Sequence, residues 1–186
     1  MYERSSLGDI LLSSICEPLL RKQLGKKRYR FLVDGMLGSL AIKLRILGFD
    51  TVYNKTSSDA ELLESTAPGS RHLLTSDVDL FLSARRKHLR ATLISSRDDL
   101  GRITELYKKL AMKRVIVPKV SRCSVCNGTL ARAKARTKLG KVVYSCRSCG
   151  KMYWRGTHWK KLYALFDEAN NRLKEIPKGE RESVTR

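Results

Sequence analysis

No apolar run in the chain approaches 18 consecutive residues, so nothing in it has the length of a membrane-spanning helix. The N-terminus lacks the basic start, apolar stretch and small-residue cleavage site of a secretory leader, which predicts a cytoplasmic, soluble protein with no membrane partner. Internal repeats and low-complexity tracts are absent as well. Cysteine is limited to five residues, four of them at metal-binding spacing. That usage fits a reducing compartment rather than a disulfide framework, and the leftover Cys16 reads as a small apolar residue. Histidine is scarce, and His72 and His88 stand in no motif. Acidic residues are in deficit: 18 Asp and Glu face 38 Lys and Arg, a formal net charge of +20.

The surplus is uneven. Residues 1–30 carry 7 basic and 3 acidic groups, residues 31–112 carry 12 and 10, and residues 113–186 carry 19 and 5. A positive field of that size favours a polyanion, and phosphate backbones are the commonest in cells. Within the basic region stand two Cys-x-x-Cys knuckles, Cys123/Cys126 and Cys146/Cys149, separated by nineteen residues. Four thiolates at that spacing close tetrahedrally around one Zn2+. Such a site leaves no position for water, so it folds a module and catalyses nothing. Arg132, Lys134, Arg136, Lys138, Lys141 and Arg147 surround the knuckles as candidate phosphate contacts. Tyr153, Trp154 and Trp159 are either base-stacking residues or ribbon packing, and His158 reads as a hydrogen-bonding residue of the ribbon.

Between Tyr29 and Met112 short apolar runs alternate with helical patterns, as in repeated βα units around a parallel sheet. Tyr29–Val33, Thr51–Tyr53, Arg71–Thr75 and Ala91–Ser95 read as strands. Helices are predicted from Gly35 to Leu47, stopped by Gly48; from Ser57 or Ser58 to Pro68 and Gly69; from Asp79 to His88; and from Asp98 through Leu110. Lys113–Arg122 is either an edge strand or a linker. A last helix, starting near Thr157, carries Trp159, Leu162, Tyr163, Phe166, Ala169 and Leu173 on one stripe, to pack on the ribbon or the sheet. Ile176–Arg186 is polar and aperiodic and reads as a disordered tail.

Parallel α/β sheets bind ligands beyond the carboxyl ends of their strands. Asp34 follows the first strand, Asp59 and Glu61 the second, Asp77 and Asp79 the third, and Asp98 and Asp99 the fourth, whereas Asp50 lies at the other end. Any single acid ahead of a helix is by default an N-cap. Together they would repel unless a hard cation such as Mg2+ or Mn2+ sat among them, with Asp34 and Asp77 as its ligands and Asp59 and Asp79 assisting.

The runs RFLVDGMLGSLAIKLRILGFD from Arg30, SDAELL from Ser58, LLTSDVDL from Leu73, SRCSVCNGTL from Ser121 and SCRSCGKMYWRGTHW from Ser145 carry a resemblance to a known family. Across Arg30 to Leu162 the chain resembles the Mut-seven C-terminal RNase family, a PIN-like nuclease domain joined to a zinc ribbon. The resemblance implies an α/β, PIN-like fold and metal-dependent cleavage of RNA by external water, leaving a 5′ phosphate and a 3′ hydroxyl. It places the acidic positions on Asp34, Asp59, Asp77 and Asp79 and the zinc ligands on Cys123, Cys126, Cys146 and Cys149. Two departures stand out. Residues 1–28 form a basic N-terminal extension, and SSRDDLGRITEL lacks the Gln-Leu pair implied there, leaving Asp98 or Asp99 for the fourth acidic corner. The expected organisation is therefore an extension (1–28), a PIN-like domain (29–117), a zinc ribbon (118–160) and a C-terminal helix with tail (161–186). Function divides between a ribonuclease acting on structured RNA, its phosphates held near the acidic rim by the ribbon, and a non-catalytic component bound to ribosomal RNA or a ribosomal subunit or its precursor. A third reading is a toxin-like nuclease neutralised by a protein partner at Leu7–Leu24.

Overall fold

The apolar triplet of Phe31, Leu32 and Val33 and the Leu73–Leu74 pair are buried with nothing polar between them, as in strands covered on both faces. A computed structural model describes residues 29–66, 71–136 and 142–175, and in it these runs form the two central strands of a parallel sheet. The strands are β1 (Arg30–Val33), β2 (Asp50–Tyr53), β3 (His72–Thr75) and β4 (Ala91–Leu93), in the order β2-β1-β3-β4. The N-terminal extension with Cys16 and Leu7–Leu24, the Pro68–Gly69 stop, Lys138, Lys141 and the tail from Ile176 lie outside the described residues.

Successive strand residues serve opposite faces. Phe31, Val33 and Leu74 join Leu40, Leu44, Ile103 and Leu106 in the larger core, while Leu32 and Leu73 join Leu62, Leu80 and Ala84 in the smaller one. The larger core holds α1 (Gly38–Ile46) and α4 (Asp99–Lys109); the smaller holds α2 (Asp59–Ser65) and α3 (Val78–Arg86). The fold is thus α/β, three layers deep. The chain leaves β1 for β2 through α1 on one face, and reaches β3 and β4 through α2 and α3 on the other. That reversal opens a crevice between the carboxyl ends of β1 and β3, the topological switch point of a doubly wound sheet.

Local signals account for most boundaries. Ser58 begins α2 with a capping box, its side chain accepting from the Glu61 amide while Glu61 accepts from the Ser58 amide. Gly48, at φ 87°, ends α1 and turns the chain into β2. The start of the first helix differs from the sequence pattern: Gly35–Leu37 is a 3-10 turn, and the α-helix begins at Gly38. β4 stops at Leu93, because the Ser95 and Ser96 amides are taken by the Glu105 carboxylate at 2.8–3.1 Å. Lys113–Arg122 is a linker, and the Asn170 side-chain amide holds the Val115 amide and carbonyl at 2.8 and 3.0 Å.

The second sheet is antiparallel: β5 (Leu130–Arg136), β6 (Val142–Cys146) and β7 (Met152–Trp154). It is followed by α5 (His158–Lys174), whose Phe166, Ala169 and Leu173 complete the larger core beside α4. The C-terminal helix therefore belongs physically to the sheet domain, and the ribbon is a loop bracketed by it. Among the described residues no helix is long and apolar enough to cross a membrane.

Candidate functional site

Asp34 is the first residue past β1 and Thr75 the last of β3, so parallel pairing sets them side by side. The Asp34 amide extends the ladder by donating to the Leu74 carbonyl at 3.0 Å. The Thr75 hydroxyl, fully buried, donates to Asp34 Oδ2 at 2.8 Å and accepts from the Asp77 amide at 2.9 Å. Its one proton and one lone pair are thereby assigned, and a single hydroxyl locks the two aspartates to a common rim. Asp77 caps α3, with Oδ1 accepting from the Asp79 and Leu80 amides at 2.7 and 3.0 Å. Asp34 Oδ1 and Asp77 Oδ2 accept no hydrogen bond from the described residues. Each carboxylate is half held by protein and half open.

The two glycines of Asp34-Gly-Met-Leu-Gly let the end of β2 and the loop after it pack closely against the segment behind Asp34. A Cβ on Gly35 would stand 2.8 Å from the Lys55 carbonyl, and one on Gly38 would stand 2.5 Å from the Tyr53 hydroxyl. Tyr53 also donates to the Gly35 carbonyl at 3.2 Å. Asp59 opens α2 and Asp79 lies in the first turn of α3; both are exposed.

The remaining acids are committed locally. Glu61 closes its capping box, and Asp98 caps α4 through the Gly101 amide at 2.9 Å, the main reason its carboxyl sits below the usual range. Asp99 pairs with Lys43 at 2.7 Å and accepts from Ser39. Burial opposes its ionisation, but those two hydrogen bonds outweigh it and hold its pKa down. Glu105 is lowered to about 2, its burial overcome by Lys109 and the Ser95 and Ser96 amides. Among the described residues the only group of three or more ligating side chains within reach of one ion is the cysteine set.

In that set the four Sγ atoms lie within 4.8 Å of one another, Cys123–Cys149 at 3.6 Å and Cys126–Cys146 at 3.4 Å. Tetrahedral zinc with Zn–S near 2.3 Å needs sulfurs about 3.8 Å apart. The site could hold zinc with little adjustment. The Cys126 amide reaches Cys123 Sγ at 3.5 Å, the Ser148 amide reaches Cys146 Sγ at 3.4 Å, and Tyr153 Oη stands 2.9 Å from Cys123 Sγ. Burial resists ionisation of Cys123, yet the Tyr153 hydroxyl and the Cys126 and Val125 amides pull its thiol down to about 6. The Gly128 amide favours a Cys126 thiolate, but the Cys149 and Cys146 sulfurs push it up to about 12, a conflict a divalent cation removes.

Sequence reasoning missed the residues that dock this ribbon. Buried Arg45 of α1 donates through Nη1 to the Ser124 and Val125 carbonyls and through Nε to the Thr51 carbonyl, each at 2.9 Å. Asn127, at φ 64°, accepts from the Thr51 amide at 3.0 Å and donates to Asp50 Oδ1 at 2.7 Å. Asp50 also pairs with Arg71 and Arg30 at 3.0 and 3.1 Å. Burial disfavours the charged form of Asp50, but Arg71 and Asn127 hold its pKa at about 2. No local pattern announces the contacts between ribbon and sheet, because their partners stand 76 to 80 residues apart in sequence. All of them lie where α1 ends and β2 begins, at the end of the sheet opposite Asp34 and Asp77. The first knuckle is therefore anchored at the end of the sheet opposite the acidic rim, roughly 13 Å away along a four-residue strand.

Of the candidate phosphate contacts, Arg132 and Lys134 are exposed on β5 and Arg147 is exposed in the second knuckle. The Arg136 side chain, like Lys138 and Lys141, lies outside the described positions. His158 opens α5 and is exposed. The aromatic residues of the ribbon face a cleft with Ile46 and Leu162 rather than a closed core.

No curated protein and no solved structure matches the chain. A family model described as the Mut7-C RNAse domain matches residues 29–166, from the first strand through the zinc ribbon into α5. That span holds both the acidic rim and the four cysteines, and RNA is the substrate class it implies. The chain belongs to the Mut7-C RNase domain family.

Proposed function

We propose that this ribonuclease-type domain is a metal-dependent nuclease of PIN-like kind that hydrolyses structured RNA in the crevice between β1 and β3. The observation that carries the reading is the Thr75 hydroxyl, which ties Asp34 to Asp77 at the switch point and leaves one oxygen of each free. An all-oxygen donor pair of that kind suits Mg2+ or Mn2+, which prefer carboxylates and retain waters. Bound there, such an ion would supply Lewis acidity toward a phosphodiester and lower the pKa of a coordinated water. The protein's own part is positional. Thr75 and the α3 amides fix the two carboxylates, and in this reading the exposed Asp59 and Asp79 would assist through water. In this reading Arg132, Lys134, Arg136, Lys138, Lys141 and Arg147 hold the RNA backbone, which runs the length of the domain between ribbon and crevice. Water attack leaves a 5′ phosphate, and the reduced cysteine set suits the cytoplasm.

The test is cleavage of labelled structured and single-stranded RNA with Mn2+ added or omitted, comparing the natural chain with Asp34→Asn and Asp77→Asn. Cutting that needs the ion and vanishes in both variants supports the nuclease. A second reading, an RNA-binding component of ribosomal subunits or their precursors without cleavage, draws on the local commitment of Asp98 and Asp99, which leaves the fourth corner unfilled. Salt-sensitive binding that both variants retain, with no cutting under any ion, selects it.

A further inference from the structure

Beside the ribbon, away from the acidic rim, an open cleft of ≈190 Å³ is bounded by β7, the linker after Val117, and the start of α5. Its lining includes both tryptophans of the chain, Trp154 and Trp159, with Tyr144 between ribbon strands. Trp154 is 52% exposed although large and apolar. Three cations, Lys119, Arg122 and Arg155, complete the wall, and no carboxylate does. The Arg155 guanidinium lies 5.3 Å above the Trp159 ring, covering one indole while leaving the other open.

We infer that this cleft is a second RNA subsite, which stacks an unpaired base on Trp154 and holds the flanking phosphates on Lys119, Arg122 and Arg155. The inference rests on RNA being the bound polymer and extends that reading to a single-stranded element remote from cleavage. Aromatic faces accept any base, whereas the cations select for a polyanion, and the two together are the recurring design of single-strand binding surfaces. Charge argues against the chain's own extension as occupant. Residues 1–28 carry six basic and three acidic groups and would bring more positive charge to a positive wall. The site would let the protein engage RNA whose unpaired segment lies against the ribbon while a distant phosphodiester enters the crevice.

Because no other tryptophan exists in the chain, emission excited selectively at tryptophan reports on this cleft alone. The experiment uses the full zinc-loaded chain carrying Asp34→Asn, titrated with a short oligouridylate and with an abasic oligoribonucleotide of equal length. Stacking predicts quenching by the first, protection from acrylamide, and binding weakened roughly tenfold or more by Trp154→Ala. Trp154→Phe, with unchanged zinc content, should keep affinity within a few-fold and shows that the alanine variant lost a ring rather than a fold. No quenching, or equal quenching by the abasic strand, overturns the inference. So does acrylamide failing to reach tryptophan in the RNA-free chain, since the chain itself would then fill the cleft. Cleavage by the natural protein without quenching sinks this subsite alone, and quenching without cleavage sinks only the nuclease reading.

Discussion

Replacing Arg45 with Met keeps the aliphatic stem and removes a guanidinium that binds three carbonyls, those of Thr51, Ser124 and Val125. Each carbonyl left dry costs about 1–3 kcal/mol. Against that, the variant no longer has to desolvate a charge that is 5% exposed, a cost of several kcal/mol. Burial itself lowers the Arg45 pKa, and the nearby Cys123 and Cys126 sulfurs act against that lowering. Breaking such an arrangement from one side typically costs about 3–5 kcal/mol. Against a total stability of about 5–15 kcal/mol this is a third or more. Urea unfolding followed by circular dichroism should show a clear drop in midpoint, and zinc transfer to a chromophoric chelator should quicken, because the first knuckle loses its anchor. Arg45→Lys should not rescue, since one ammonium cannot span three carbonyls. Arg132→Met, on the exposed face of β5, should stay within about 0.5 kcal/mol. An Arg45→Met chain with the natural midpoint and natural zinc release would refute the argument that this side chain welds ribbon to sheet.

Thr75→Val preserves shape but strips the hydroxyl, leaving the Asp77 amide and Asp34 Oδ2 without their shared partner; about 1–3 kcal/mol of stability and most RNA cleavage should go, with Thr75→Ser restoring both. Gly38→Ala drives a methyl into Tyr53 and should cost about 1–3 kcal/mol, which Tyr53→Leu relieves; Gly35→Ala meets backbone at Lys55 and should find no relief in that second change. Asp50, with a folded pKa near 2 against an ordinary 3.8, contributes stability that is complete above pH 4 and is lost as pH falls toward 2; acid unfolding curves of Asp50→Asn should be flatter through that window.

The parallel sheet could be read from the chain because burial on both faces leaves an unmistakable mark: Phe31-Leu32-Val33 and Leu73-Leu74 are apolar without interruption, and each is followed at once by an acid or hydroxyl. Gly48 and Ser58 likewise wrote their own boundaries. The four cysteines that could hold zinc were legible because both knuckles are local, two cysteines to a turn. What escaped depends on distance along the chain. Thr75 looks like any strand residue until β1 and β3 are paired and its hydroxyl is seen to serve two aspartates. Arg45 and Asn127 look like surface residues until the knuckle folds onto the end of α1. From sequence alone the acids after β4 are open between a capping role and the fourth corner; Asp98 caps α4 as acids ahead of helices commonly do, and Asp99 is claimed by Lys43, a partner that only the fold brings near.

The most direct test of the shared rim is manganese binding to the zinc-loaded chain, read by electron paramagnetic resonance of free Mn2+. The account predicts a carboxylate site that Asp34→Asn and Asp77→Asn each weaken by at least tenfold and that Asp98→Asn leaves unchanged. Equal manganese affinity in all four proteins would contradict it.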